Sequence, residues 1–304
     1  MPHYPGKPAP TQLWPVSISS DGSRLELSDG SVRAQDGAVV GHLDSSAGLL
    51  PVWADDNEHF CQMTAPNYGS FAGGTLTGPA VLTWGLLGSG QRIVATVGQF
   101  GANSETRIEA CSAYSGFAVL SERTASASTQ AAKTGLDPVT KLVVIRLADG
   151  SVLYQHDYAV TTNPIGGTVV AVSMDGRYVA EIYTVVRNGP ARAVQVRALP
   201  QGNVVATMGA ERVAGFSGDD TVVFVGGASD LENSQIINWR TGQVLNTEPG
   251  NPSLQATQPG GSSFMAVKHA TRNGVIVNDL WLIPSAGPSH LVDTDVLDVF
   301  GQLG

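Results

Sequence analysis

Three acidic stretches hold the side chains best suited to gathering round a cation: "DDNEH" (Asp55 to His59), "GASDLENS" (Gly227 to Ser234) and "DTDVLD" (Asp293 to Asp298). A calcium site needs that many carboxylates, but it also needs them spaced alternately along a Gly-bearing loop. The first and third lack that spacing, and the second, though a true loop, is a weak match. The first falls where a tight turn is expected, so turn chemistry accounts for its aspartates. The sequence therefore assigns no metal and no cofactor.

Covalent catalysis leaves no signature either. The chain lacks a GxSxG nucleophile elbow, an HExxH zinc helix and a phosphate-cradling P-loop. Its six histidines (His3, His42, His59, His156, His269 and His290) are scattered, with no pair at metal-ligand spacing. The two cysteines, Cys61 and Cys111, belong to no CxxC or Cys/His cluster and are too few for a disulfide scaffold.

The elements that would position any site follow from composition. The 304 residues are 42% hydrophobic and only 14% charged, with 36 Gly and 17 Pro. That balance suits many short strands joined by tight turns and disfavours a helical or disordered chain. The formal net charge is −9, and no Lys/Arg run forms the basic stripe that phosphate neutralisation requires, so nucleic acid is not an expected partner. No apolar run approaches the length of a transmembrane helix, so no direct membrane insertion is expected. Residues 1–12, "MPHYPGKPAPTQ", read as a Pro-rich linker, as if following a removed leader or anchor. This places the protein outside the cytoplasm of a bacterium, secreted or anchored. Residues 13–304 read as one domain.

Repeats decide the fold. "AVSMDGRYVAEI" (from Ala171), "PVWADDNEHFCQM" (from Pro51), "EACSAYSGFAVLSE" (from Glu109), "RVAGFSGDDTVVFVGG" (from Arg212) and "LQATQPGGSSFMAVKHA" (from Leu254) share one design. Each joins two strand-like runs through a polar turn, which is a hairpin signature. A second hairpin follows each, as in "LVVIRLADGSVLYQHDY" (from Leu142). Two hairpins make a four-stranded antiparallel unit, A to D, at the period of a propeller blade. The expected fold is an all-β, six-bladed β-propeller.

A gapless match of Leu27–Asp56 on Leu147–Gly176 makes "SRLELSDGSVRAQ" a C–D hairpin. The first blade would then lack strand A, and "VLDVFGQLG" (from Val296) would join it to close the ring and remove an exposed edge. Cys61 and Cys111 would fall on neighbouring blades, leaving two readings open: an inter-blade disulfide or two separate buried thiols. Trp84, Trp239 and Trp281 recur at one C-strand position and read as blade packing.

"VSMDGRYVAEI" resembles the "SPDG-(K/R)-x-(I/V)-A" hairpin of bacterial WD40-like β-propellers of the TolB and PD40 kind, with Met174 in place of the Pro. The resemblance spans the repeat region and implies a fold that hosts binding modules and enzymes alike.

Long connections gather between strands B and C, chiefly 64–80 and 123–140, so one face of the disc carries the elaboration and is the expected binding face. Candidate ligand contacts there are Tyr68, Phe71, Arg187, Asp230, Glu232 and Arg272. The reading is a monomeric, non-enzymatic module that binds a protein, peptide or glycan, with no cofactor. The alternatives are a hydrolase or lyase using Asn103, Asp157, Glu211 and Glu248 at the central channel, or a structural subunit of a surface assembly. An enzyme predicts carboxylates converging in a funnel with a perturbed acid, and a binding module predicts exposed aromatic or apolar surface.

Overall fold

The computed structural model describes residues 15–19, 21–43, 51–64, 78–100, 104–124, 139–158, 167–184, 193–209, 212–226, 233–250, 252–257 and 260–296. Their strands form six four-stranded antiparallel sheets, each built from four strands consecutive in sequence. These are the six blades of a β-propeller, and the described residues contain no helix.

Blade one holds β1 (Pro15–Ile18), β2 (Arg24–Leu27), β3 (Ser31–Ala34) and β4 (Val39–His42). Blade two holds β5 (Val52–Trp53), β6 (His59–Thr64), β7 (Gly78–Leu86) and β8 (Gly90–Phe100). Blade three holds β9 (Ser104–Ser112), β10 (Phe117–Thr124), β11 (Lys141–Arg146) and β12 (Val152–Asp157). Blade four holds β13 (Gly167–Val172), β14 (Tyr178–Thr184), β15 (Ala193–Ala198) and β16 (Asn203–Gly209). Blade five holds β17 (Arg212–Phe216), β18 (Val222–Gly226), β19 (Ser234–Asn238) and β20 (Gln243–Glu248). Blade six holds β21 (Ser253–Thr257), β22 (Phe264–Arg272), β23 (Val275–Ile283) and β24 (His290–Asp293).

Alternation along a strand turns successive side chains to opposite faces of its sheet, and here both faces are covered. In β10, Ala118 and Leu120 pack with Cys61, Met63 and Leu82 of blade two, while Phe117 and Val119 pack with Val172 and Val179 of blade four. In β18, Val223 and Val225 pack against blade four, while Val222 and Phe224 pack against Phe264 and Ala266 of blade six. This is why these strands are apolar at every position rather than at alternate ones. The first strands of blades two to six lie nearest the axis, and each touches its counterpart next door, β5 with β9, β9 with β13, β13 with β17 and β17 with β21. The fourth lies at the rim, where Val39, Val204, Val244 and Leu291 are exposed.

Blade one corrects the expected closure. Its four strands all come from Pro15–His42, in the order β1-β2-β3-β4, so no strand A is missing and no tail is needed to supply one. The gapless match misassigned the strands because β2–β3 and β11–β12 turn through the same Leu-x-Asp-Gly-Ser-Val stretch, once between strands B and C and once between C and D. Strands of four residues with tight turns compress this blade into fewer residues than the repeat period suggests. Residues 297–304 lie outside the described residues. Val296 just before them donates its N–H to Asn278 O on β23, at 2.9 Å.

Cys61 on β6 and Cys111 on β9 are disulfide-bonded, with Cα atoms 5.9 Å apart and a sequence separation of 50. The bond staples blade two to blade three within a fully buried cluster. Closing a loop of that length removes about 4 kcal/mol of unfolded-state entropy. A Cys61→Ala/Cys111→Ala variant should lose stability of that order in urea denaturation. Reductant should then destabilise the parent chain alone, and a loss under about 1 kcal/mol would show that the staple contributes little.

Candidate functional site

The turns between the first and second strands converge at one mouth of the axial channel, and three share one construction. Blade one has Ser19-x-Asp21-Gly22, blade four Ser173-Met174-Asp175-Gly176, and blade five Ser217-Gly218-Asp219-Asp220. In each, the Ser hydroxyl donates to the Asp Oδ1, at 2.8, 2.8 and 2.6 Å. The same Oδ1 accepts the backbone N–H two residues on, from Ser23, Arg177 and Thr221 at 2.8, 2.9 and 3.1 Å. The Ser Oγ in turn accepts the N–H that opens the second strand, from Arg24, Tyr178 and Val222. These local bonds make the turn self-supporting.

Turn residues also tie successive blades together. Asp21 N–H reaches Asn57 Oδ1 at 3.2 Å. The Asp55 carboxylate accepts the Ser112 hydroxyl at 2.5 Å and the Ala113 N–H at 2.8 Å. Ser115 Oγ donates to Asp175 O at 3.3 Å, and Asp219 N–H to Gly261 O at 3.1 Å. Between blades four and five, Arg177 pairs through Nε with Asp175 and lies 4.0 Å from Asp220 Oδ2. Most acidic groups at the mouth are thus structural, as turn chemistry anticipates for Asp55 and Asp56.

Asp220 departs from that pattern. The fourth turn position has a positive φ, 72° at Gly22 and 71° at Gly176, where glycine has no Cβ to crowd the backbone. Blade five places an aspartate there, at φ 55°. Its backbone oxygen is held by Trp239 Nε1 at 2.7 Å and Arg240 at 3.1 Å. The residue is only 6% exposed, and its Oδ1 is buried with no hydrogen-bond partner. Burial first, then the Asp175 carboxylate beside it, push the Asp220 carboxyl up to about 8, against the opposing pull of Arg177. A neutral acid hydrogen-bonded to a carboxylate is the state that two close carboxyls adopt. Around them opens a cavity of about 300 Å³, lined also by Asp21, Asp55, Met174, Gly218 and Gly260.

Most of the sequence-predicted contacts have no described position. Tyr68, Phe71, Arg187, Asp230 and Glu232 lie outside the described residues, as do Asn103 and Glu211 of the channel alternative. Arg272 ends β22 at a two-residue Asn273-Gly274 turn and pairs with Asp279 at 2.6 Å and Asp295 at 3.0 Å. Glu248 is 4% exposed and engaged by Lys268 and Ser289, and Asp157 accepts from Gln155. Reading the A–B turns as scaffold missed the mouth. The visible signal was "SGDD", whose second Asp stands where "SSDG" and "SMDG" have Gly.

No family model and no curated protein matches the chain. Solved structures do. Prolyl oligopeptidase B from Galerina marginata aligns over 95% of this chain and 42% of its own, at 13% identity and a TM-score of 0.55. BamB from Moraxella catarrhalis aligns over 92% and 75%, at 12% identity and a TM-score of 0.42. At such identities the likeness establishes the propeller fold alone, and this chain spans under half of the peptidase.

An Asp220→Gly variant tests whether the aspartate serves the fold. Folded Asp220 keeps its proton to about pH 8, whereas the ordinary aspartate value is 3.8. Between those values the native state binds the extra proton, and its stability falls as the pH rises. The glycine variant lacks that slope. It should match the parent near pH 4 and gain on it by up to about 1.4 kcal/mol per pH unit towards pH 8, read from urea midpoints across the range. A glycine variant less stable than the parent at pH 8 would make Asp220 a structural residue.

Proposed function

We propose that this propeller is an extracytoplasmic, non-enzymatic binding module that holds a protein or peptide partner at the axial mouth formed by the A–B turns. Asp220 carries the reading: a buried, unpartnered carboxyl oxygen in a left-handed position that blades one and four give to glycine. Backbone strain and an unmet hydrogen bond are costs that binding sites retain. Tyr114, 81% exposed on the neighbouring turn of blade three, adds a large amphipathic contact surface of the kind interfaces favour. The inter-blade disulfide supports an oxidising compartment. The recurring Ser-x-Asp-Gly hairpin supports kinship with bacterial WD40-like propellers of the TolB kind. The mechanism is presentation: rigid blades hold the mouth open, so little entropy is lost on binding.

One observation favours a second reading, as a hydrolase or lyase. Asp175 and Asp220 form a carboxyl pair with one raised acid, which is a general-acid arrangement. Against it, the Asp175 carboxylate is already held by Ser173, the Arg177 N–H and the Arg177 guanidinium. That leaves Asp220 without a free carboxylate beside it to act as nucleophile or base.

Peptides selected from an unbiased display library against the whole protein test the proposal. Those selected should lose at least tenfold in affinity for a Gly218→Trp variant, whose indole fills the cavity. Retained affinity, with protection mapping to 65–77 and 125–138 instead, would move the binding face to the B–C loops. Turnover of selected peptides, abolished by Asp220→Asn, would establish the enzymatic reading.

A further inference from the structure

Resting on that reading of the mouth, we infer that its ligand is an alkylammonium group, the side chain of a lysine in the partner, held by the Asp220 carboxylate. The acceptors are unequally available. Asp21, Asp175 and Asp219 each place Oδ1 on their own turn, Asp55 holds the turn of blade three, and the second oxygen of Asp175 meets Arg177. Asp220 Oδ1 is the buried carboxylate oxygen of this cluster with no hydrogen-bond partner. A divalent cation asks for six or more oxygens, and no group of three metal-binding side chains occurs among the described residues. A guanidinium asks for two parallel oxygens. An ammonium is a compact charge with three donors that needs only one strong anchor.

The walls fit the rest of such a ligand. Met174 reaches across the mouth to within 3.5 Å of Thr257 Oγ1, and Gly218 and Gly260 present bare backbone. An adaptable thioether and glycine edges would bed a four-carbon stem while the charged end goes down to Asp220. Among the described residues on the cavity wall, carboxylates from blades one, two, four and five outnumber the cation Arg177, giving a field that draws a positive group in.

Occupancy exchanges one cation for another. The Asp220 proton, retained beside the Asp175 carboxylate, must leave when the ammonium arrives. The groups around it are Asp175 and Arg177 from blade four, the latter 4.0 Å from Oδ2, Asp219 from its own turn, and Arg240 of blade five, whose guanidinium holds the Asp220 backbone oxygen at 3.1 Å. Affinity should therefore rise about tenfold per pH unit below 8 and level off above it.

The experiment is calorimetric titration of the whole protein with the blocked tripeptide acetyl-Gly-Lys-Gly-amide. The comparison ligands are the Nε-acetyl-lysine, arginine and norleucine tripeptides, and calcium chloride alone. The inference expects the lysine peptide to bind at least tenfold more tightly than the acetyl-lysine, norleucine and arginine peptides. It also expects that preference to vanish in Asp220→Asn and in Asp220→Gly, both checked for native melting. The glycine variant preserves the turn, since Gly22 and Gly176 occupy the same position. Equal binding of lysine and acetyl-lysine, a preference that survives Asp220→Gly, or calcium binding that displaces the peptide would each overturn it. Display peptides that are blocked by Gly218→Trp yet contain no lysine would overturn the ligand class while leaving the mouth as the binding site. Peptides unaffected by Gly218→Trp would overturn both.

Discussion

Burial of both faces of the second strands, as in β10 and β18, is the constraint on which the rest depends. A blade cannot bury itself: Val222 and Phe224 look one way along the ring, and Val223 and Val225 the other. Each sheet is therefore complete only between two neighbours, and stacking round an axis is the arrangement that gives every sheet two. The rim strands, covered on fewer sides, keep exposed valines such as Val39 and Val244. The axis follows from the same packing, because six inner strands set side by side leave a channel that their turns must frame. A mouth lined by first-turn residues is thus a by-product of the core before it is a site.

What the turns do with that position differs from blade to blade. Ser-x-Asp-Gly is a self-contained unit in which the hydroxyl and one carboxylate oxygen satisfy the backbone of the turn. Such a unit places a negative group at the mouth and yet leaves its free capacity low, since its best acceptor is used locally. Asp220 is the inverse case. Its backbone is satisfied by Trp239 and Arg240, which leaves the side chain without structural duty and turned to the cavity.

The hairpin rhythm, the blade count and the two-sided strands were legible because they rest on local rules: tight turns need particular residues, and strands buried on both faces need apolar residues at each position. Blade one was misassigned because the same Asp-Gly turn serves two kinds of hairpin, and only strand pairing tells them apart. The mouth was illegible for a different reason. Asp55, Asp175 and Asp220 look alike in sequence. Only three-dimensional pairing shows that the first holds its neighbour's turn, the second is held by Arg177 and the third keeps a buried oxygen with no hydrogen bond. Loop length drew attention to the opposite face because long loops are visible in a sequence, whereas an unmet hydrogen bond is not.

The carboxyl pair also limits what the mouth can be. Two carboxylates cannot stand together in a poorly hydrated site, so one keeps its proton until another cation replaces it. Arg177 already neutralises part of Asp175, and its 4.0 Å distance from Asp220 leaves that second neutralisation incomplete. The site is therefore poised between a proton and an external cation. Trp239 and Arg240 meanwhile hold the Asp220 backbone oxygen, so the turn that carries the carboxyl is fixed whichever cation occupies it.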